Sequence, residues 1–458
     1  MDRREFMKIA GTSAATMALP RRAFGADGDK PNIVFIMVDD MGYADLGCCG
    51  SKQIATPNID RMAAEGTQFT DAYSGCAVCA PARSVLMTGY HMGHTSVRGN
   101  SGGIPLLDED VTVAEVLSAA GYACGGFGKW GLGDVGTAGV AEKQGFDVFY
   151  GYYHQVHAHS YFPDYLWRNS EKVPLPGNAD GKQEQYSHHL IFDETLKFIR
   201  ENGAGPFFCY APWTPPHGRY EIPEDEPAWQ MYKDKGWPQN AKVAAAMDSM
   251  VDRHVGELLG LLKELNLDER TIVFFCSDNG AAQRFDGVLD SSGPLRGRKR
   301  DVYEGGLRVP MIARWPGRVP AGRVSDLPWY FADVMPTLTE LAGLQAPKGI
   351  DGMSVVPELI GEALAGRRQE QHEYMYWEWG RGRGGAPRAI RMGNWKGVKP
   401  GPDQPLELYD LRKDIGERND VAAQHPDVVA KIEGYLATCR TEPRPQGEPE
   451  MPEGKRYR

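Results

Sequence analysis

The chain lacks several features that define other classes of protein. Its 458 residues include 61 acidic and 51 basic side chains, and the net charge of −10 argues against general attraction to nucleic acid. No internal repeat or long low-complexity tract stands out. The apolar run over residues 9–19 is too short to span a bilayer, so stable membrane insertion is not predicted.

Cysteine is scarce, with eight residues, and the zinc-site spacing is incomplete. Cys76 and Cys79 fit a C-x-x-C pattern, which suits a redox pair or half of a zinc site, but no second Cys/His pair follows at ligand spacing. Cys48 and Cys49 are adjacent, and spacing alone gives no disulfide connectivity. Three cysteines in apolar or small-residue surroundings are predicted to be buried thiols: Cys124, Cys209 and Cys276.

Length and composition predict a large α/β protein with a second, smaller unit. A hydrophobic content of 41% supports a sizeable core, and the length exceeds one ordinary domain. Strand-like and helix-like segments alternate from residue 31 to about residue 344, which predicts a large, mostly parallel sheet sandwiched by helices. An aromatic-rich strand at 374–379 and a helix at 428–439 predict a small C-terminal antiparallel sheet plus helix.

Two apolar strands end in polar side chains. Asp39 and Asp40 follow the apolar run 32–38, and Asp278 and Asn279 follow the run that starts at Thr271. Sites in open α/β sheets lie at the carboxyl ends of strands, and oxygen ligands suit a hard cation such as calcium or magnesium. Either strand end alone could be a helix cap or a solvated turn, but the pair predicts a metal site.

The segment Cys79-Ala80-Pro81-Ala82-Arg83, followed by Thr88-Gly89, resembles the maturation signature of the formylglycine-dependent type I sulfatases, in the alkaline-phosphatase-like superfamily. This resemblance implies that a formylglycine-generating enzyme oxidises Cys79 to an aldehyde, which is hydrated to give the nucleophile. It also implies a Ca²⁺ or Mg²⁺ ion, with these ligands: Asp39, Asp40, the modified Cys79, Asp278 and Asn279.

The basic residues match the same family in order and context. Lys129 lies in Gly-Lys-Trp, His217 ends Thr-Pro-Pro-His, and Lys299 lies in a basic loop before Glu304. The resemblance implies that both lysines bind the sulfate and that His217 protonates the leaving oxygen. It also implies that Arg83 orients the formylglycine. Any one of these residues alone would more readily be read as a solvated cation or a structural histidine.

One position departs from the family pattern. Gly131 stands two residues after Lys129, where the family most often has histidine. Glycine can neither bind the formylglycine hydroxyl nor take its proton. We therefore expect another base, either a metal-ligating carboxylate or one of the histidines His154, His157 and His159.

Residues 152–163 are rich in aromatic and histidine side chains, which suit stacking on a sugar and hydrogen bonding to its hydroxyls. The predicted substrate is therefore a sulfated carbohydrate. Two alternatives stay open, a phosphonate or phosphodiester hydrolase of the same superfamily and a non-catalytic sulfated-glycan binding protein. The predicted substrate contacts are Arg98, Asn100, His154, His157 and His159.

The N terminus resembles an export signal. Arg3 and Arg4 fit a twin-arginine motif before the apolar run, and a cleavage site is expected near residue 25. The twin-arginine (Tat) machinery exports folded proteins, so oxidation of Cys79 and metal loading could precede export to a periplasmic or secreted location. The predicted division is a signal peptide at 1–25, a catalytic domain at 30–366 and a C-terminal subdomain at 367–458.

Overall fold

The computed structural model describes residues 30–380 and 386–443 of the chain. The predicted signal peptide therefore lies outside the described residues. Within them, strands form sheets of ten, two and four members. The strands are β1 (Asn32–Val38), β2 (Thr67–Phe69), β3 (Ala72–Tyr73), β4 (Ala123–Lys129), β5 (Val148–Tyr152), β6 (Tyr165–Arg168), β7 (Glu171–Pro174), β8 (Phe207–Trp213), β9 (Thr271–Ser277), β10 (Met311–Arg314), β11 (Arg323–Ser325), β12 (Trp329–Tyr330), β13 (Met375–Glu378), β14 (Arg388–Met392), β15 (Trp395–Lys399) and β16 (Glu407–Asp410).

Helices alternate with the strands over most of the chain. In the described ranges the α-helices are α1 (Pro57–Ala64), α2 (Cys79–Thr88), α3 (Val113–Ala119), α4 (Ser187–Asn202), α5 (Pro227–Tyr232), α6 (Gln239–Glu264), α7 (Glu304–Leu307), α8 (Val334–Leu341), α9 (Val356–Ile360), α10 (Glu362–Ala365) and α11 (Pro426–Thr438). None of the helices in these ranges combines the length and apolar character needed to cross a membrane.

The large sheet is mostly parallel at its centre, as predicted. Its strand order is β11-β2-β10-β9-β1-β8-β4-β5-β6-β7. The five central strands from β9 to β5 run parallel to one another, whereas β10, β6 and β7 are joined to their neighbours in antiparallel pairs. The carboxyl ends of the five central strands therefore meet at one edge.

Strand β1 shows why this sheet is covered on both faces. Every residue of β1 is buried, which is typical of a central parallel strand. Because successive side chains point to opposite faces, they enter two hydrophobic clusters. One cluster contains Ile33, Phe35 and Met37, and the other contains Val34, Ile36 and Val38. Helix α2 packs within the first cluster, and α4 and α6 pack within the second.

The small sheet follows the large one along the chain. Strands β13, β14, β15 and β16 pair antiparallel in sequence order, and residues of α11 pack into the first hydrophobic cluster with them. The expected antiparallel sheet with a terminal helix is confirmed. All eight cysteines lie in the described ranges and all are free thiols. Cys124, Cys209 and Cys276 are buried, as predicted.

Candidate active site

The strand register brings the predicted polar residues together. Val38 lies beside Ser277 of β9 on one side and Trp213 of β8 on the other, so the residues that follow all three strands meet. The amide of Asp278 donates to the carbonyl of Val38 at 2.9 Å. Lys129, the last residue of β4, lies at the same edge.

Cys79 is the first residue of α2, and the whole helix is buried. Its thiol donates to Asp39 Oδ1 at 3.1 Å, and Lys299 Nζ donates to the sulfur at 3.3 Å. Burial raises the pKa of the Cys79 thiol well above its usual value, and the charges of Asp278 and Asp39 raise it further. The unmodified residue is therefore held as a thiol, whereas a cysteine nucleophile would need the thiolate.

Buried cations surround the carboxylates. Lys129 Nζ lies 2.6 Å from Asp39 Oδ2, and Lys299 Nζ lies 2.5 Å from Asp40 Oδ1. Burial opposes ionisation of Asp39, but Lys129, Arg83 and Lys299 together hold its pKa well below the usual range. The lysines therefore keep Asp39 ionised and place positive charge beside Cys79.

Arg83, one turn along α2 from Cys79, bonds to a carboxylate and to a backbone carbonyl. Its Nε and Nη2 donate to Asp278 Oδ2 at 3.1 and 2.8 Å, and Nη1 donates to the carbonyl of Lys129. Burial and the charge of Asp39 raise the pKa of Asp278 to about 6. Arg83 thus ties α2 to the ends of β4 and β9, and its described hydrogen bonds do not include the Cys79 side chain.

Four ligand atoms could hold a metal ion. One atom each from Asp39, Asp40, Cys79 and His217 lies within 4.8 Å of the others. Asn279 donates from Nδ2 to Asp40 Oδ1 at 2.7 Å, while its buried Oδ1 has no hydrogen-bond partner among the described residues. An orphaned buried oxygen beside two carboxylates fits a hard cation that takes oxygen ligands.

His217 closes the site from the loop after β8. Its Nε2 lies 3.5 Å from Asp40 Oδ2, and its ring stacks on His159 with centroids 4.7 Å apart. Tyr161 donates to the carbonyl of His217 at 2.8 Å. Burial lowers the pKa of His217 to about 3, and the cation Lys129 opposes protonation as well.

The other predicted substrate contacts have different surroundings. Of the three histidines predicted to face the site, the structure places His159 beside His217. The ring of His157 packs on Tyr152 and Tyr165, and His154 Nδ1 accepts from the backbone of its own loop. Arg98 donates to the carbonyls of Thr95 and Thr441, so this guanidinium joins its loop to the C-terminal segment.

Asn100 lies closer to the nucleophile. Its Oδ1 accepts from the backbone N–H of Ala80 at 3.0 Å and from Gln155 Nε2 at 3.3 Å. Sequence reasoning missed Gln155, because a single glutamine in a loop carries no catalytic signal. The only pointer was Gly131, whose missing side chain leaves the space that Gln155 enters.

Cys76, the other half of the C-x-x-C pattern, is buried away from these ligands. Its thiol donates to the carbonyl of Glu378 at 3.7 Å. It does not belong to either of the possible metal-binding groups in the described residues, the second of which is formed by His91, His94 and Asp351. The geometry gives no support to a zinc site at this pair.

Comparisons with known proteins agree with this geometry. The sulfatase family model matches residues 31–344, and the model for the C-terminal region of N-sulphoglucosamine sulphohydrolase matches residues 298–442. N-acetylgalactosamine-6-sulfatase of Canis lupus familiaris is 33% identical over 78% of this chain and 73% of its own length. Human arylsulfatase A is 32% identical over 88% of this chain and 86% of its own length.

A solved structure, Ps i-CgsB in complex with k-i-k-neocarrahexaose, is similar with a TM-score of 0.79 and 31% identity. The match covers 91% of this chain and 94% of that one. The family model spans well over half of the present chain, and the relatives are about one-third identical to it over the aligned region. The chain therefore belongs to the sulfatase family of sulfuric ester hydrolases, within the alkaline-phosphatase-like superfamily.

Proposed function

We propose that this enzyme removes sulfate from a sulfated carbohydrate, with a formylglycine made from Cys79 as nucleophile and a divalent cation, Ca²⁺ or Mg²⁺, beside it. The observation that carries the proposal is the position of Cys79. Its side chain sits between Asp39 and Lys299 at the start of a fully buried helix. A hydrated aldehyde supplies two hydroxyls on one carbon, one to attack sulfur and one to allow release of sulfate.

The cation would be held by the oxygen atoms of Asp39, Asp40, Asp278 and Asn279, together with the modified residue 79. Asp278 is held in place by Arg83 and by the amide of Asp40, which donates to Asp278 Oδ1 at 3.2 Å. A divalent ion there would polarise a sulfate oxygen and fix the attacking hydroxyl. The hard oxygen ligands favour calcium or magnesium over softer metals.

The cations and His217 supply the remaining chemistry. Lys129 and Lys299 would neutralise the charge that develops on the sulfate oxygens in the transition state. His217 would protonate the leaving alcohol as general acid. Its pKa of about 3 belongs to a ring that burial desolvates, and a bound sulfate ester would add negative charge beside the ring and raise this pKa.

The proposal of a carbohydrate substrate rests on the loop after β5. His159 is only partly buried and stacks on His217, so it faces the space expected for the leaving group. Aromatic and imidazole side chains suit a sugar, and one of the relatives is named as an N-acetylgalactosamine-6-sulfatase. Arg98, His154 and His157 would then act by shaping this loop and its neighbour, and Asn100 by holding α2.

We further propose that the mature enzyme is exported. This rests on the twin-arginine resemblance of the N-terminal segment and on the sequence division into residues 1–25, 30–366 and 367–458. Oxidation of Cys79 within a buried helix suits a pathway in which maturation and folding are complete before transport. Comparison of periplasmic and cytoplasmic fractions of the native chain and an Arg3→Lys, Arg4→Lys variant would test the signal.

The proposed activity is tested by co-expression with a formylglycine-generating enzyme. Mass spectrometry of the Cys79 peptide should show sulfur replaced by oxygen and two hydrogens lost. The matured protein should then release sulfate from members of a panel of defined sulfated saccharides, and the Cys79→Ala variant should not. Activity from protein that holds only intact thiol would contradict the proposal, as would faster turnover of phosphonate monoesters or phosphodiesters than of every sulfate ester tested.

A further inference from the structure

Gly131 and Gln155 compete for one space beside the active site. Gly131 has φ of +77°, and a Cβ built on it would lie 2.6 Å from Gln155 Nε2 and 3.2 Å from Gln155 Cδ. The first distance is far inside van der Waals contact, so a side chain at position 131 and the present position of Gln155 exclude each other. In this chain a neutral amide from a different loop fills the space next to residue 131.

Backbone pairing before Gln155 and a hydrogen bond from its side chain fix the position of this residue. The backbone N–H groups of Trp130 and Gly131 donate to the carbonyls of Tyr152 and Tyr153 at 2.8 and 3.0 Å, which extends the pairing of β4 and β5 beyond the strands. Gln155 follows this pairing and is only 4% exposed. Burial of an amide costs free energy unless its polar atoms are hydrogen bonded. Asn100 supplies that bond, since its Oδ1 accepts from Gln155 Nε2 at 3.3 Å.

The same oxygen of Asn100 reaches the nucleophile helix. It accepts from the N–H of Ala80, the residue after Cys79, at 3.0 Å. Two hydrogen bonds therefore link Gln155 to the backbone of the first turn of α2. The charged neighbours Asp39 and Lys299 approach the Cys79 sulfur itself, so the amides and the charged groups hold different parts of the nucleophile segment.

We propose that Gln155, with Asn100, is a positioning residue for the matured residue 79, and that the amide hydrogen not bonded to Asn100 binds the hydroxyl that does not attack sulfur. The inference rests on the proposed function. An amide takes up no proton near neutral pH, so Gln155 orients this hydroxyl without acting as its base. Gln155 therefore supplies the hydrogen bond that a side chain at position 131 would make, but it does not act as an acid or a base.

The test uses matured protein and the variant Gln155→Met, which keeps the volume and removes the hydrogen bonds. Gln144 is the matched control, because it is a fully buried glutamine whose Nε2 donates to the carbonyl of Ala138, away from Cys79. Gln155→Met should lower kcat roughly tenfold, the rate equivalent of one hydrogen bond, with little change in KM. Gln144→Met should change the thermal midpoint without this loss of kcat.

A second readout does not depend on turnover. If Gln155 stabilises the hydrated aldehyde, the Gln155→Met protein should hold more free aldehyde and react faster with a small hydroxylamine probe than the wild type and Gln144→Met. Equal kcat and equal oxime formation in the two variants would overturn the inference. If Gln155→Met does not fold, Gln155→Ala replaces it against Gln144→Ala. Wild-type protein with verified formylglycine but no sulfatase activity would instead contradict the proposed function.

Discussion

At the scale of single residues, the proposed chemistry depends on two hydroxyls at position 79. The Cys79→Ser variant offers one hydroxyl in the same place, so it can attack sulfur but lacks the group needed to release sulfate. We expect at most one turnover per site, with sulfate retained on the introduced serine. Free sulfate per enzyme molecule and the mass of the active-site peptide measure this.

Sustained turnover by Cys79→Ser would show that the second hydroxyl is unnecessary. The measurement would then find free sulfate in several-fold excess over enzyme. Loss of a bound sulfate during purification is controlled by quenching in acid before the peptide is isolated. The comparison with Cys79→Ala separates transfer to the serine from non-specific sulfation.

Asn279 tests the metal site with little disturbance of charge. Its orphaned Oδ1 is a neutral ligand, so Asn279→Leu removes one ligand and leaves the carboxylates in place. We expect metal affinity to fall at least about tenfold, as measured by elemental analysis after dialysis against a graded chelator series. Activity should be recovered at high metal concentration.

The matched control for this variant is Asn32→Leu. Asn32 is an equally buried asparagine, but it lies at the opposite end of β1 and donates to Thr271 Oγ1 at 3.2 Å. Unchanged metal affinity in Asn279→Leu, or an equal loss in Asn32→Leu, would remove Asn279 from the ligand set.

At the scale of elements, the short helix α7 joins the large sheet to the small one. Its first residue, Glu304, accepts from Lys396 of β15 at 2.8 Å, from Arg308 at 2.7 Å and from Tyr73 at 2.7 Å. Burial works against ionisation of Glu304, but Lys396, Arg308 and Arg391 lower its pKa far below the usual value. A fully buried carboxylate is thus stabilised by cations from both parts of the molecule.

Glu304→Gln should therefore destabilise the fold strongly, because it removes the carboxylate that Lys396 and Arg308 share. Among the carboxylates of the described residues, Lys396 would keep only Glu417 at 3.6 Å, and Arg308 only Asp71 at 3.0 Å. The expected loss is about 3–5 kcal/mol in the free energy of unfolding, measured by chemical denaturation. Glu257→Gln removes an exposed partner of Arg253 in α6 and should cost less than about 1 kcal/mol. Similar losses of unfolding free energy in the two variants would show that the buried cluster stabilises the fold no more than a surface ion pair does.

At the scale of the whole molecule, the C-terminal part packs on the loops around the nucleophile helix. Trp377 of β13 donates to the carbonyl of Ser74 at 2.8 Å, a few residues before Cys79. Thr441 donates from its backbone to the carbonyl of Gly93 at 3.1 Å. The loop that runs from α2 to Asn100 is therefore held on one side by the C-terminal segment, which makes the small sheet part of the site's support.

Buried neutral histidines should make the molecule sensitive to acid. Burial lowers the pKa of His157 from 6.5 to about 3, so the unfolded chain binds a proton more readily between these values. Its contribution to stability is complete above pH 6.5 and is lost as the pH falls toward about 3. Between pH 6.5 and about pH 5 this group should lower the free energy of unfolding by roughly 2 kcal/mol.

His157→Phe should flatten this dependence, because the ring contacts with Tyr152 and Tyr165 are retained and the titrating group is removed. Denaturation of both proteins across this pH range provides the measurement. Parallel curves for the wild type and the variant would show that His157 does not titrate between the folded and unfolded states.

Much of the architecture follows from local sequence. The apolar residues of β1 point alternately to the two faces of the sheet. They can all be buried only if helices cover both faces, so the layered sheet was predictable. The convergence of Asp39 with Asp278 followed for a similar reason, since parallel neighbours bring their carboxyl ends to one edge. The motif around Cys79 depends on adjacent residues and was readable without any fold.

Other features were decided by tertiary structure alone. The sequence marked Gly131 as a departure, but the amide that enters its space comes from Gln155, and the bond to Asn100 links residues 55 positions apart. The separation of His159 from His154 and His157, and the pairing of Glu304 with Lys396, likewise depend on how distant loops and elements pack. Such contacts leave no periodic or local trace in the sequence, because they arise only when the folded sheet brings separate segments within a few ångströms.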